Sequence, residues 1–416
     1  MSRSSPTSAA AAWATLAILF GLNLLNYLDR YVMSAVVTQM QGELKLTEAG
    51  AGWAGSAFMW GYFITAPIFG YLGDRFPRKY LMLAGVVIWS LATAGSGFAQ
   101  NFAQLFCIRL VVGVGEAAFV TMGPSWLSDL FASTRRNLAL TLFYVAIPLG
   151  SAIGFTIGGW FAEHSTWRHA FIFTGLPGVA LALVLLLLRE PRRGEADGIG
   201  ATVDVPKAGM GEVLGLMGNL RYNLLVWGYA AQTFAMGGFA FWGAVFLVQA
   251  HGMTTGDADT IFGYILAGTG LVATLVGGLI ATSLRKRSPA GYVWMMAFSM
   301  VAATPICFYA LTVGDKYLSL TALGVAIFFL FLPTGPVVSE IFEIVPVHLR
   351  ASAVALCTFI IHLFGDAGSP TIVGYASDAG GGIKHGVLIL PLLLLVGAVL
   401  WTVLIPYTRE PVEVEA

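Results

Sequence analysis

Apolar residues run through this chain in long blocks, not in the alternating or one-faced stripes of a soluble fold. A block needs about 20 residues to cross a bilayer as a helix. Such blocks occur near 12–40, 49–72, 80–99, 102–130, 137–161, 169–188, 222–249, 258–282, 289–312, 317–341, 350–376 and 385–406. Polar and charged residues collect in the intervals between them. The pattern predicts an all-α membrane protein with twelve transmembrane helices. The first block is read as a span, because it exceeds the usual apolar core of a signal peptide and holds Asp29 and Arg30. Its small residues, Ala9 to Ala12, also precede the apolar stretch instead of following it.

The longest polar interval, Arg189 to Arg221, contains Pro191, Pro206 and several glycines, and it divides the blocks six and six. The expected organisation is a cytoplasmic N-terminal tail at 1–11, a six-helix half at 12–188 and a cytoplasmic linker at 189–221. A second six-helix half follows at 222–406, then a cytoplasmic tail at 407–416. A weak internal repeat relates the halves. Basic clusters at Arg75/Arg78/Lys79 and Arg285/Lys286/Arg287 follow the second block of each half, and Arg135/Arg136 and Arg350 follow the fourth. Rocking-type transporters are built from such repeats, with substrate held near the bilayer midplane.

Composition fixes the solvent. With 57% hydrophobic and 11% charged residues and a mean hydropathy of +0.79, the chain suits a bilayer and not water. Placing both termini inside puts sixteen of the 22 lysines and arginines on the inner side and only Lys45, Arg168, Lys316 and Lys384 outside. That bias predicts cytoplasmic termini. Net charge is zero, which offers no field for nucleic acid. Cys107, Cys307 and Cys357 lie in apolar segments without metal spacing, and no Asn-x-Ser/Thr acceptor occurs, which favours a bacterial inner membrane. No nucleophile with a base and no metal ligand set appears, so neither an enzyme nor a cofactor is expected. The expected partners are the bilayer, protons and a lipid or anionic small molecule, and the expected state is a monomer.

Gly70-Tyr-Leu-Gly-Asp74-Arg75-Phe-Pro-Arg78-Lys79 has the G-x-x-x-D-R-x-x-R-K spacing that resembles the signature loop of the major facilitator superfamily. Gly70 would let a neighbouring helix approach, and Asp74 would accept bonds from a helix N-terminus, with Arg75 and Arg78 completing an inner gate. A basic turn that merely sets topology explains the positive charges but neither Gly70 nor Asp74. The second-half loop has Thr282 where an aspartate is expected, so any latch there is weaker.

Charge within hydrocarbon is the most informative feature, since one Arg or Asp at a helix centre costs roughly 2.5–3.5 kcal/mol on the insertion scale. The first block holds Asp29 and Arg30, and the fourth holds Arg109 and Glu116 on one face, about 10 Å apart along the axis. Because the fourth block runs the other way, Arg30 falls at a depth between Arg109 and Glu116. Mutual compensation predicts Arg30 with Glu116 and Asp29 with Arg109. These charges would form either a working site or a fixed network; buried pairs stabilise poorly compared with apolar packing, which favours the former.

In the eleventh block, His362 and Asp366 are four apart and share a face. They form either a proton relay or a local pair that bends the helix beside Gly365 and Gly368. Glu340 and Glu343 fall near an inner helix end, where capping or hydration is expected. Pro148 with Gly150, Gly154 and Gly158 makes a small-residue ridge in the fifth block, and Pro333-Thr-Gly335-Pro336 breaks the tenth. Phe234, Phe239, Phe241 and Trp242 are placed either to meet a lipid tail or to pack.

Asn26-Tyr27-Leu-Asp29-Arg30, Gly113-Val-Gly115-Glu116-Ala117, Ser128-Asp129-Leu-Phe131 and Phe143-Tyr144-Val-Ala-Ile-Pro148-Leu-Gly150-Ser151 together resemble the spinster family of that superfamily. The second half matches it in span pattern only. Organic anion and sugar acid symporters share the Asp-Arg and Gly-Glu-Ala elements. The spinster resemblance implies transport of sphingosine 1-phosphate-like or lysophospholipid-like amphiphiles, proton-linked in some members. It also implies that Arg30 binds the headgroup, that Asp29 and Glu116 take protons and compete for Arg30, and that Tyr27 and Tyr144 line the cavity.

Overall fold

The computed structural model describes residues 8–192, 195–197, 210–346 and 349–408. Arg3, Arg193, Lys207, Arg409 and much of the 189–221 linker lie outside the described residues, as does the side chain of Asp74. Numbering only membrane-length helices, the first six are α1 (Ala9–Leu44), α2 (Glu48–Arg75), α3 (Arg78–Ser96), α4 (Phe102–Leu130), α5 (Ser133–His164) and α6 (Trp167–Leu185). The second six are α7 (Leu220–His251), α8 (Thr255–Arg287), α9 (Gly291–Thr312), α10 (Lys316–Ile344), α11 (Ser352–Ala379) and α12 (Ile383–Thr408). Eleven of these are apolar enough to cross a membrane among the described residues. The 28-residue α2 joins them on length, spanning about 42 Å.

Helix starts follow local chemistry. Asn101, Thr166, Asn219, Thr254 and Asp315 each accept from a backbone N–H in the first turn, which satisfies a donor that has no intrahelical partner. α7 stops at Gly252, whose φ of 63° is the left-handed conformation that ends helices. Pro333 interrupts α10 between Phe331 and Thr334, as the proline pattern predicts. Large apolar side chains such as Leu183, Leu275, Phe298 and Leu392 are exposed, the arrangement expected where the solvent is lipid.

The chain forms two compact units, Met1–Leu46 with Trp53–Asp204, and Thr47–Gly52 with Val205–Ala416. In unit 1 the core gathers Leu16, Leu19, Met82, Trp89, Phe119, Trp126 and Phe143 from α1, α3, α4 and α5. Trp89 meets Phe119 edge-on at 5.5 Å. Lipid gives little hydrophobic drive between helices, so close packing of small residues carries much of the association. α1 and α5 show this: a Cβ on Gly150 would fall 2.7 Å from the Leu24 carbonyl oxygen, and one on Gly154 2.6 Å from that of Leu28. On Gly158 it would fall 2.5 Å from the Ala35 Cβ. The small-residue ridge is thus the contact face of α5.

In unit 2, indole and phenol donors meet main-chain oxygens: Trp242 donates to Pro370 at 2.9 Å, Trp401 to Leu225 at 3.0 Å and Tyr222 to Ala353 at 2.6 Å. The Asp378 carboxylate accepts from the N–H groups of Glu48 and Ala49, each at 3.0 Å.

Candidate functional site

Three glycines aim the charged residues of α4. A Cβ on Gly113 would lie 2.6 Å from the Tyr62 nitrogen on α2, and one on Gly115 2.5 Å from the Trp89 nitrogen on α3. Gly61 returns the contact from α2, where a Cβ would come within 3.2 Å of the Leu110 Cα. One glycine therefore serves each neighbour, and Glu116, the next residue, turns toward α1. Helix pairs touching through backbone hold the side chains beside them at fixed depth.

Arg30 Nε donates to Glu116 Oε2 at 2.8 Å; the Arg30 side chain is 16% exposed and Glu116 is fully buried. The guanidinium lies 4.7 Å from the Tyr27 ring centroid, 5.0 Å from Phe58 and 5.4 Å from Tyr62. These are cation–π distances, and each such contact is worth about 0.5–2 kcal/mol depending on desolvation. Arg109 is buried and lies 5.2 Å from the centroid of the same Phe58 ring. Asn26 is buried beside Glu116. Tyr144 is half-exposed and neighbours Tyr27.

The arrangement separates one expected pair. Asp29 and Arg109 form no ion pair: both Asp29 oxygens, and Nε and Nη1 of Arg109, lack a hydrogen-bond partner. Successive residues on a helix point about 100° apart, so Arg30 looks toward α2 and α4 while Asp29 looks toward α3 and α6. Its carboxylate faces the hydroxyls of Thr93 and Thr174, with no hydrogen bond formed. In this geometry Arg30 is bonded to Glu116 and not to Asp29.

At the gate loop, Arg78 is buried and pairs with Asp129 at 2.7 Å and Glu190 at 3.4 Å, and donates to Ser125 at 2.6 Å. Arg75 is exposed and lies over the Tyr71 ring. A cavity of about 360 Å³ is lined by Phe69, Gly70, Gly73, Arg78, Thr121, Met122, Ser125 and Asp129. A Cβ on Gly70 would meet only the Thr121 methyl, at 3.8 Å. The close helix approach expected at Gly70 is made at Gly61 instead.

In unit 2, residues His362–Asp366 form a π-helical turn with Gly365 at φ −96° and ψ −105°. His362 Nδ1 lies 3.0 Å from both Asp366 oxygens. π turns concentrate at functional positions, and here one carries both the side-chain pair and the bend. Glu343 pairs with Arg285 at 2.9 Å, while Glu340 is buried. Phe234 and Phe239 are buried. α7 is held tightly here, since a Cβ on Gly237 would fall 2.6 Å from the Asp366 Cα.

Sequence reasoning missed Phe58 and Tyr62, whose four-residue spacing on α2 is the available signal, and also Thr93 and Thr174, which carry none.

A sequence model of the Major Facilitator Superfamily matches residues 19–369. The chain is 33% identical over 386 residues to protein spinster homolog 3 of Danio rerio, covering 88% of this chain and 77% of that one. It is 33% identical over 384 residues to protein spinster of Drosophila melanogaster, of which it spans 62%. Against human protein spinster homolog 1 it is 33% identical over 384 residues, covering 87% of this chain and 72% of that protein. Its fold is similar to the crystal structure of a bacterial homolog to the human lysosomal transporter spinster, inward-facing and unoccupied. The TM-score is 0.88 at 22% identity, over 98% of this chain and 100% of that one.

Proposed function

The chain belongs to the major facilitator superfamily, among the spinster proteins, and on that premise we propose that this secondary transporter moves an anionic amphiphile by proton-linked alternating access. Transport, not catalysis, is the activity of this family. The substrate class is a single-chain lipid with a phosphate or carboxylate headgroup, such as a sphingosine 1-phosphate-like or lysophospholipid-like molecule.

The observation that carries this reading is the 2.8 Å Arg30–Glu116 pair within an aromatic surround. Arginine stays charged over the accessible pH range, so Arg30 always requires a counter-charge. Empty, it has Glu116. When Glu116 takes a proton, Arg30 is released to grip a phosphate or carboxylate through its planar fork of donors. Tyr27, Phe58, Tyr62 and Tyr144 offer apolar faces for the first carbons of the tail. Proton binding and substrate binding are then linked through one guanidinium, and such linkage shifts the balance of access states. The positive loops favour cytoplasmic termini in a bacterial inner membrane, with a monomer sufficient for function. In the division of labour we propose, the half at 12–188 supplies headgroup and proton chemistry. The half at 222–406 completes the path, with His362 and Asp366 as a second polar station. Gly70, Asp74, Arg75 and Arg78 act as the inner gate.

The test is uptake into proteoliposomes of labelled lysolipid, sphingoid phosphate and sugar acid under an imposed pH gradient. The amphiphiles should accumulate with the gradient and Arg30→Ala should carry no flux. Wild-type flux in Arg30→Ala would dismiss the headgroup role, and preference for the sugar acid would move the substrate class to small organic anions.

A further inference from the structure

Asp29 is 1% exposed, and the two hydroxyls that face its carboxylate, those of Thr93 on α3 and Thr174 on α6, are buried as well. Neither hydroxyl has a partner within hydrogen-bond geometry, and neither do the Asp29 oxygens. Other helical threonines of unit 1 behave differently. Thr15, Thr65, Thr121 and Thr156 donate to the carbonyl four residues back, at 2.9, 2.7, 2.6 and 2.9 Å, the usual way a helical threonine satisfies itself. Thr93 and Thr174 forgo that bond. A buried hydroxyl left unbonded costs roughly 1–3 kcal/mol, so each needs an acceptor, and the carboxylate is the one in reach.

Backbone packing brings the two threonines to one level. Gly175, beside Thr174, lets α6 lie directly on α3: a Cβ there would fall 2.5 Å from the Ala94 nitrogen and 2.7 Å from the Ser90 oxygen. Main-chain contact between α3 and α6 therefore sets the wall that carries both threonines.

We infer that Thr93 and Thr174 hold the Asp29 carboxylate in a closed pocket behind α1 and set the pH at which it takes its proton, acting as positioning residues that touch no substrate. This rests on the proposed reading of Asp29 as a proton site. The charged groups bearing on Asp29 are Glu116 and Arg109 from α4, with Arg30 on its own helix turned to Glu116; α3 and α6 present the threonines. An ionised carboxylate accepts from both hydroxyls, whereas a protonated one must donate its own hydrogen, so the pair favours the ionised form. Once Asp29 is neutral, two guanidiniums face Glu116 alone, and the cluster gains affinity for an anion that Asp29 never contacts.

The experiment is the pH profile of lysolipid uptake by Thr93→Val/Thr174→Val, which preserves shape and removes both donors. Its midpoint should move to higher pH by about one unit, while lysolipid affinity at acid pH stays within about twofold and Thr93→Ser/Thr174→Ser restores the original midpoint. An unmoved midpoint overturns the inference, provided that Asp29→Asn alters the same profile. An unaltered profile in Asp29→Asn overturns the proton reading of Asp29, and the inference with it. If the double variant does not fold, as judged by thermal melting, each single valine variant should give a smaller shift in the same direction; no shift in either overturns the inference.

Discussion

Replacing Glu116 with glutamine isolates the link between proton and headgroup. In the structure the carboxylate is fully buried and held 2.8 Å from Arg30, so an anionic headgroup must displace it unless a proton has already neutralised it. A hydrogen bond to a charged group contributes about 1.5–3 kcal/mol, and about 1.4 kcal/mol is tenfold in affinity. On the proposed reading, the ionised carboxylate would hold headgroup affinity down by roughly 10- to 100-fold. Glu116→Gln keeps the side-chain shape, and the rings of Tyr27, Phe58 and Tyr62 still support the guanidinium. At alkaline pH the variant should bind lysophosphatidate about 10 to 100 times more tightly than wild type, and near acid pH the two should converge. Titration calorimetry in detergent across the pH range reads this directly. In proteoliposomes the same variant should still exchange substrate but should not accumulate it with a pH gradient. Parallel pH curves for variant and wild type would refute the idea that Glu116 is the group whose proton releases Arg30.

Two predictions concern the frame around the site. Arg78→Ala removes the guanidinium that pairs with Asp129 and Glu190, and removing one partner of a largely buried pair is costly. The melting transition of the purified protein, followed by tryptophan fluorescence, should fall by the equivalent of about 2 kcal/mol, less than a fully buried pair would lose. Gly154→Leu forces a side chain into the Leu28 backbone and should cost about 3 kcal/mol or abolish folded protein. Gly42→Ala, with nothing within 4 Å of its Cβ, should melt with wild type; equal behaviour of the two would show that α1 and α5 are not in backbone contact.

The spans were legible because hydrophobic block length is a one-dimensional signal that membranes enforce. Their ends were not. α1 runs on to Leu44, beyond its apolar block, because Glu43 is held by the Trp167 indole at 2.6 Å and by Arg168 at 2.7 Å, partners far away in sequence. Depth arithmetic found the Arg30–Glu116 pair, since opposite charges at matching depth on neighbouring helices can meet. It failed for Asp29 and Arg109 because depth says nothing about azimuth, and one residue turns a side chain by about 100° around its helix. Phe234 and Phe239 were ambiguous for a related reason: a helix that is apolar all round has no stripe to show which face is inside. Thr93 and Thr174 were invisible, since a threonine in an apolar helix ordinarily bonds to its own backbone.

The glycine face between α1 and α5 bears on motion. A seam in which main chain rests on main chain, at Gly150, Gly154 and Gly158, has no side-chain cushion to shear, so the two helices travel as a single strut. Arg30 rides on one and Tyr144 on the other. Tyr27, which lies 4.7 Å from the Arg30 guanidinium, is then kept beside Tyr144, and access changes by tilting this strut against other helices.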